Sequence, residues 1–591
     1  MTEELRANVS NEAYENIERW LTHDKYAAYR AELEAMITAG RWTELEDAFF
    51  KVIEFGTGGI RGTTGIGTNR ISKVTIGEAT QALCEYVVGL DPAATTKGIV
   101  IACDTRLSSD EFSRYAAEVC AGNGVKAYLF DGFRATPELS FAVRHLQAAA
   151  GIVISASHNP PADNGFKAYL ADGGQLVPPH DKGIINLTTQ VEMIKTREFA
   201  AAQRDGHIVM IGQEVDEAYI AAVVGQAVSD ARELAIVYSP LHGAGQTNTL
   251  KALETAGFSI STVKDQMVPD GNFPTVENGK PNPEEKAAND RAVAQMLAED
   301  ADIAITNDPD ADRIGVTVRE GDQPIYLSGN QTAVLATEFA LRKLQEAGTL
   351  TPKHYIAKTI VTTDMMTALA DHYGVTLYGD MLIGFKYIGE LLLQKEATDE
   401  IFVIGGEESY GLLKGDYARD KDGAVGALVL AEYAAELKRD GKTLFDRLLE
   451  LYAEHGLYTE RLDTIVCPGA KGFEQMQAIM AKLRSTTPQT VAHHQVTAVA
   501  DYQSGKKTDL ATGEQSDLAC KVKGNVVVLE FGDERRRITI RPSGTEPKLK
   551  LYVQWHQTAD ADPSGIRQQL GAVNDMLESL SRELEGILLE G

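Results

Sequence analysis

The sequence predicts an α/β protein of three α/β units followed by a smaller α+β domain. Three observations carry that reading. The chain has 591 residues, more than one compact domain of about 100 to 200 residues holds. An apolar run suited to a buried strand passes into a polar loop three times: Ile152-Val153-Ile154 into a Ser-rich turn, Ile303-Ala304-Ile305 into an Asp-rich turn, and Ile401-Phe402-Val403-Ile404 into a Glu-Glu turn. Loops at the carboxyl ends of such strands are where α/β sheets bind ligands. Finally, Val526-Val527-Val528-Leu529 and Arg537-Ile538-Thr539-Ile540 are β-rich and precede a long helical pattern through about Leu589.

The elements follow in chain order. Residues before about Glu44 are helical and charged, a packing extension without a function of its own. Ser108-Ser109-Asp110-Glu111 opens a helix that can end at Gly122-Asn123-Gly124, and Thr136-Pro137-Glu138 offers a cap with Pro in the first turn. Residues 501–520, polar and holding Gly505 and Gly513, read as a loop or hairpin of the last domain, and a linker into that domain is expected near Tyr458 to Asp463. The expected units are 1–207 (extension and first α/β unit), 208–327, 328–457 and 458–591.

Three motifs carry chemistry. Asp308, Asp310 and Asp312 alternate along one segment stiffened by Pro309, so their carboxylates can converge on a hard divalent cation such as Mg2+. Arg313 adds a planar, fixed charge suited to phosphate oxygens. Ser157, in Ser155-Ala156-Ser157-His158-Asn159-Pro160, is a candidate nucleophile that needs a metal, a base or a group already loaded on it. The chain has no Gly-x-Ser-x-Gly elbow, which argues against an α/β-hydrolase serine. His158 is adjacent to the serine, a poor geometry for activating its own neighbour, and is expected to shape the loop. Arg541, Ser543, Gly544 and Thr545 in Arg541-Pro542-Ser543-Gly544-Thr545-Glu546-Pro547 can wrap a dianion with charge, hydroxyls and backbone N–H groups, and Lys548 and Lys550 lie just downstream. Nucleophile, carboxylate cage and phosphate clamp together form a phosphoryl-transfer set.

Composition sets the outer bounds. A net charge of −28 disfavours nucleic acid and anionic membranes. It also repels phosphorylated substrates, so a phosphate site must be locally basic; Arg313 and Arg541 are expected to help make it so. No apolar run approaches the ~18 residues of a membrane span and the N-terminus lacks a leader pattern, which makes the cytoplasm the expected location. Five scattered cysteines without a Cys-x-x-Cys pair suggest buried free thiols.

The motifs resemble, in family order, those of the α-D-phosphohexomutases of the long bacterial phosphoglucomutase/phosphomannomutase type. Gly56-Thr57-Gly58-Gly59-Ile60-Arg61-Gly62, the Ser157 loop, the Asp308–Arg313 loop, Gly406-Glu407-Glu408-Ser409-Tyr410-Gly411 and the Arg541 loop all match, spanning positions 56 to 547. The resemblance implies three similar α/β/α domains with mixed sheets, a smaller C-terminal α+β domain and an active site in the central cleft. It implies that Ser157 carries a phosphoryl group and completes a Mg2+ shell with Asp308, Asp310 and Asp312. Arg61 would contact the reacting phosphoserine or the sugar, and Lys167 would be a candidate general acid/base, with Lys421 a second active-site lysine. Glu407 and Ser409 would hold sugar hydroxyls, Lys386 would join the substrate-binding set, and Arg541, Ser543, Gly544 and Thr545 would grip the phosphate that is not reacting.

The implied reaction interconverts glucose 1-phosphate and glucose 6-phosphate through glucose 1,6-bisphosphate, the activating intermediate, which must turn around in the site. The implied partners are small sugar phosphates, and the chain a monomer or homodimer. Several positions depart from the family pattern. Ser155 stands for the usual Thr, Asp163 for Tyr before Asn-Gly, and Ile383 for a Thr before Gly384-Phe385-Lys386. Tyr410-Gly411 replaces the Ser-Gly-His ending of shorter relatives, which favours glucose phosphate. The alternatives are a phosphomannomutase or dual hexose/pentose phosphomutase, a glucose 1,6-bisphosphate synthase, a haloacid-dehalogenase-like phosphatase using Asp308 or Asp310, and a non-catalytic relative.

Overall fold

A computed structural model describes residues 2–53, 59–467, 472–520, 522–543 and 547–590. The first sheet contains β1 (Ile60–Thr63), β2 (Ile99–Cys103), β3 (Ala127–Phe130), β4 (Ala150–Ile154), β5 (Asp163–Leu170) and β6 (Ile208–Ile211), in the order β1-β5-β4-β2-β3-β6. Its centre is parallel, while β5 runs antiparallel to both β4 and β1. The second contains β7 (Ala235–Ser239), β8 (Ser259–Thr262), β9 (Ile303–Asn307), β10 (Ile314–Glu320) and β11 (Gln323–Leu327), ordered β11-β10-β9-β7-β8. The third contains β12 (His354–Thr359), β13 (Thr376–Met381), β14 (Ile401–Gly406) and β15 (Leu412–Lys414), ordered β13-β12-β14-β15. All three sheets are mixed, as expected.

The strands are apolar runs because helices cover both faces of such sheets; β2, β4 and β9 are buried at every position. One design recurs. In each sheet a central parallel strand leads through a short loop into an antiparallel neighbour: β4 to β5, β9 to β10, and β14 to β15. The loops so formed hold Ser157, Asp308 to Arg313, and Glu407 to Gly411.

The last sheet is antiparallel throughout. It contains β16 (Leu457–Val466), then, beyond a small ribbon of β17 (Thr490–Val491) and β18 (His494–Gln495), the strands β19 (Ala498–Asp501), β20 (Lys506–Asp509), β21 (Gln515–Asp517), β22 (Val527–Glu530), β23 (Arg537–Pro542) and β24 (Lys548–Gln557). The helix Pro563–Leu589 packs across it with Leu577, Leu580 and Leu584 buried. Residues 506–517 form the expected hairpin.

Two expectations are corrected. Tyr458 to Asp463 is no linker: it lies inside β16, whose ten residues all pair with β24, and Leu457 and Tyr458 are buried. Its polar composition reflects an edge strand with one wet face. Thr136 does not cap its helix; it is the first helical residue of Thr136–His145, and its hydroxyl is turned to Asp310 instead.

The N-terminal helices pack Ile17, Trp20, Leu33 and Phe49 against Ile66 and Val74 of the first unit, and Lys25 pairs with Glu78 at 2.5 Å. Cys84, Cys103, Cys120 and Cys467 are buried free thiols, while Cys520 is half-buried. Among the described residues no helix is long and apolar enough to cross a membrane.

Candidate active site

The serine loop is held in an uncommon shape. Ser157 has φ = 54°, a left-handed conformation that costs a non-glycine residue about 1 kcal/mol or more. Its surroundings over-determine it. The Ser155 hydroxyl accepts from Ser157 N at 2.8 Å, so serine in place of the family threonine keeps that role. The buried Arg106 guanidinium donates to the carbonyls of Ser157 (2.7 Å), Asn159 (2.5 Å), Pro160 (2.7 Å) and Asp163 (2.9 Å). Asp163 accepts from Thr63 and Asn159, tying the loop to β1. Gly165 lets β1 and the loop close in, since a Cβ there would sit 2.5 Å from the carbonyls of both Ile60 and Ser155.

The Ser157 hydroxyl, 1% exposed, donates to Asp308 Oδ2 at 2.8 Å. The His158 ring does reach its neighbour, with Nδ1 3.1 Å from Ser157 Oγ. Adjacency was no obstacle because the left-handed turn at Ser157 brings the following side chain round to the same side. Burial, with Arg313 and Arg61 nearby, holds His158 well below its usual range, as neutral imidazole.

Asp308, Asp310 and Asp312 are buried, with one oxygen from each lying within 4.8 Å of the others. Ala311 between them also has a left-handed backbone, φ = 52°, which turns Asp310 and Asp312 to the same side. Other units anchor the loop: Thr136 donates through N to the Asp310 carbonyl (2.9 Å) and through its hydroxyl to Asp310 Oδ2 (2.8 Å), and Gly423 N reaches the Ala311 carbonyl. Lys167, on β5, stands 2.6 Å from Asp310 Oδ2 and 3.2 Å from Asp312 Oδ2; Lys421 lies 2.8 Å from the latter.

Burial and the neighbouring Asp312 and Asp310 charges raise the Asp308 carboxyl well above its usual range. Burial opposes ionisation of Asp310 as well, but Lys167 holds it below the usual range. The two lysines are raised in turn: against the burial that would neutralise them, Asp310 and Asp312 raise Lys167, and Asp312 and Asp420 raise Lys421. Asp310 Oδ1 and Asp312 Oδ1 are buried without a hydrogen-bond partner. Two orphaned carboxylate oxygens beside a third carboxylate and a serine hydroxyl are a donor set that fits a hard divalent cation.

Arg61, Lys167, Arg313, Lys421 and Arg541 all line one cleft of about 250 Å³. Glu407, Ser409 and Ser543 line it too. Glu407 is buried, its carboxyl pushed up to about 8 by desolvation although Lys421 opposes this. Gly411 makes room for that lysine, since a Cβ at Gly411 would meet Lys421 Cδ at 2.2 Å. Arg541 lies on β23 opposite Lys550 of β24. Lys386, by contrast, is buried at the start of the helix Lys386–Lys395, behind the Ile383-Gly384-Phe385 wall of the cleft. Gly544 and Thr545, and Gly56 to Gly58 of the first motif, lie outside the described residues.

Several contributors escape sequence reading. Gln175 lines the cleft, as does Lys550, which the sequence marks only as lying just downstream of the clamp. Glu284 receives Arg313 Nη1 at 2.5 Å, turning the guanidinium, whose Nε stays 3.9 Å from Asp308 and Asp312. Arg106 had a signal: Ile99–Cys103 running into Asp104-Thr105-Arg106 repeats the strand-to-charged-loop pattern of the other sites. Glu284 had none, because no strand precedes it.

Four successive segments match the phosphoglucomutase/phosphomannomutase family: alpha/beta/alpha domain I over residues 52–195, domain II over 217–321, domain III over 328–454 and the C-terminal domain over 470–562. A phosphoglucomutase of Staphylococcus saprophyticus is 34% identical over 551 residues, covering 91% of this chain and 95% of that protein. A solved phosphoglucomutase/phosphomannomutase family protein from Burkholderia thailandensis shares the fold with a TM-score of 0.63 at 19% identity, over 91% of this chain and 98% of its own. Parafusin, a phosphoglucomutase of Paramecium solved in an open form, has a TM-score of 0.63 at 16% identity, over 91% and 98% of the two chains.

Proposed function

Because the chain belongs to the phosphoglucomutase/phosphomannomutase family, we propose that it interconverts glucose 1-phosphate and glucose 6-phosphate through a phosphorylated Ser157 and a glucose 1,6-bisphosphate intermediate. The single observation that carries this is Ser157 Oγ, 2.8 Å from Asp308 and 3.1 Å from His158, which lines the same cleft as Arg541. Relatives named phosphoglucomutase favour this reading over mannose specificity, pentose specificity or bisphosphate synthesis.

The phosphoryl group passes from Ser157 Oγ to the free hydroxyl of the sugar monophosphate. The new O–P bond forms at the sugar oxygen as the serine O–P bond breaks, and the hydroxyl proton must leave while Oγ regains one. Mg2+ held by Asp308, Asp310, Asp312 and the Ser157 oxygen would neutralise charge on the moving phosphoryl group. Asp310 and Asp312 favour the ammonium forms of Lys167 and Lys421, and with those carboxylates turned to Mg2+ the lysines would exchange a proton with the sugar oxygen. His158, 3.1 Å from Oγ, would take the Oγ proton in the return half-reaction, when the bisphosphate rephosphorylates the serine, and give it back to Oγ in the next forward transfer. Arg61 and Arg313 offset the charge that develops in transfer.

Arg541, with Ser543, Gly544 and Thr545, grips the idle phosphate at the far side of the cleft, while Glu407 and Ser409 hold the sugar's hydroxyls. A clamp that accepts either phosphate lets the bisphosphate bind in both orientations. The test is a coupled assay with glucose 1-phosphate and mannose 1-phosphate, each with catalytic bisphosphate and Mg2+. Glucose 6-phosphate formation that collapses in Ser157→Ala is the expected result. Full activity without the hydroxyl would overturn the mechanism, and faster turnover of mannose 1-phosphate would overturn the substrate.

A further inference from the structure

Away from the serine, a cavity of about 780 Å³ separates the third sheet from the last, lined in part by Lys358, Asp364 and Arg537. These three side chains form a closed ionic joint. Arg537 Nη1 and Nη2 meet Asp364 Oδ2 and Oδ1 at 2.6 and 3.1 Å, a bidentate pair. Lys358 Nζ, almost fully buried, meets Asp364 Oδ1 at 2.9 Å and the Thr362 carbonyl at 3.0 Å. The remaining donors of Arg537 go to Gln554 Oε1 and to the Ile360 and Glu534 carbonyls, and Gln554 in turn donates to the Thr362 carbonyl. With both Asp364 oxygens and every Arg537 nitrogen hydrogen-bonded within the protein, the cluster reads as a joint rather than a binding site.

Its position in the register gives the joint a further consequence. Lys358 on β12 is paired with Gly406 of β14, the residue that leads into Glu407. Arg537 lies on β23 four residues before Arg541, and the alternation of a strand puts both on one face. The joint therefore connects the strand position beside the sugar-binding glutamate to the strand that carries the clamp. A rigid, bidentate contact there sets how far Arg541 stands from Glu407 and Ser409.

We infer that Asp364 and Arg537 are positioning residues that set the span between the phosphate clamp and the sugar-binding loop, an inference that rests on the clamp role proposed for Arg541. Arg537→Lys cannot bind Asp364 in two places, and Asp364→Asn keeps the shape without the charge. Each is expected to raise KM for glucose 1-phosphate about tenfold, with kcat within about twofold, the pattern of lost uniform binding. Inorganic phosphate should weaken as an inhibitor by the same factor. If the joint acts through Arg541, combining either change with Arg541→Ala leaves KM no higher than in Arg541→Ala alone. Additive effects, or unchanged KM in both single variants, would overturn the inference while leaving the clamp intact. An Arg541→Ala protein with normal KM would overturn the clamp reading and this inference with it.

Discussion

Two buried charge clusters of this chain use the same side chains to opposite ends. In the joint between the third and last sheets, Lys358 and Arg537 share one carboxylate, and both oxygens of Asp364 are taken. At the serine, Lys167 and Lys421 face three carboxylates, and one oxygen each of Asp310 and Asp312 is left without a donor. Burying a polar atom without a partner costs about 1–3 kcal/mol, so a cluster that serves only stability has no reason to keep two. A matched cluster is a fastening, and a cluster with surplus acceptors is one shaped for something that arrives. Asp422 extends the series: among the described residues no cation hydrogen-bonds to it, and this buried carboxylate accepts from Tyr219, Tyr417 and the backbone N–H groups of Ala424 and Val425.

The comparison breaks most visibly at the serine. Asp310→Asn removes charge from the cluster and lowers kcat/KM by about a thousandfold or more, on the scale of losing one preorganised charge in phosphoryl transfer. Calorimetric titration of the variant with Mg2+ should show the affinity lost in parallel. A variant that binds Mg2+ as the wild type does would show that the surplus oxygens are not ligands.

At the joint the expected loss is in stability. Asp364→Ala strands Lys358 in the interior and costs about 3–5 kcal/mol, as removal of one member of a buried pair does. Denaturant unfolding monitored at Trp555 of β24 checks it. Lys358 and Arg537 hold Asp364 down to about 2 against the burial that would raise it. The contribution of Asp364 is thus complete above about pH 4 and is lost only as pH falls toward 2. An unchanged unfolding midpoint in Asp364→Ala would mean that the joint carries no load.

Asp422 should show the opposite sign and a smaller effect. Burial pushes its carboxyl up to about 6, against the hydrogen bonds from Tyr417 and Tyr219. Between about pH 4 and 6 the folded state binds the extra proton, so stability falls as pH rises through that window, by about 3 kcal/mol in all. Asp422→Asn is expected to remove that slope; stability curves of the two proteins that run parallel from pH 4 to 7 would contradict it.

Much of this was open to reading in the chain itself. Ile303 to Thr306 followed by alternating aspartates announced both a buried strand and a cluster of converging carboxylates, because apolar runs and hard-oxygen clusters are local patterns. The Ser157 and Glu407 loops were legible for the same reason. Thr136 was misread because capping and ligand support use the same hydroxyl, and only the neighbouring unit decides which partner it meets. The stretch from Tyr458 to Asp463 was misread because an edge strand is as polar as a linker, and only β24 alongside it makes it a strand.

The sequence by itself determined the strands, the order of the loops and the residue types of the candidate phosphate and metal site, since each is written in a few adjacent positions. Tertiary structure alone decided the rest: that His158 turns back onto Ser157, that Lys167 and Lys421 from two units converge on Asp312, that Arg106 holds the serine loop, and that Arg537 is fastened to Asp364 across 173 residues. These are contacts between side chains far apart in the chain. Their geometry is set by packed sheets and close-fitting interiors, and no local pattern of residues encodes it.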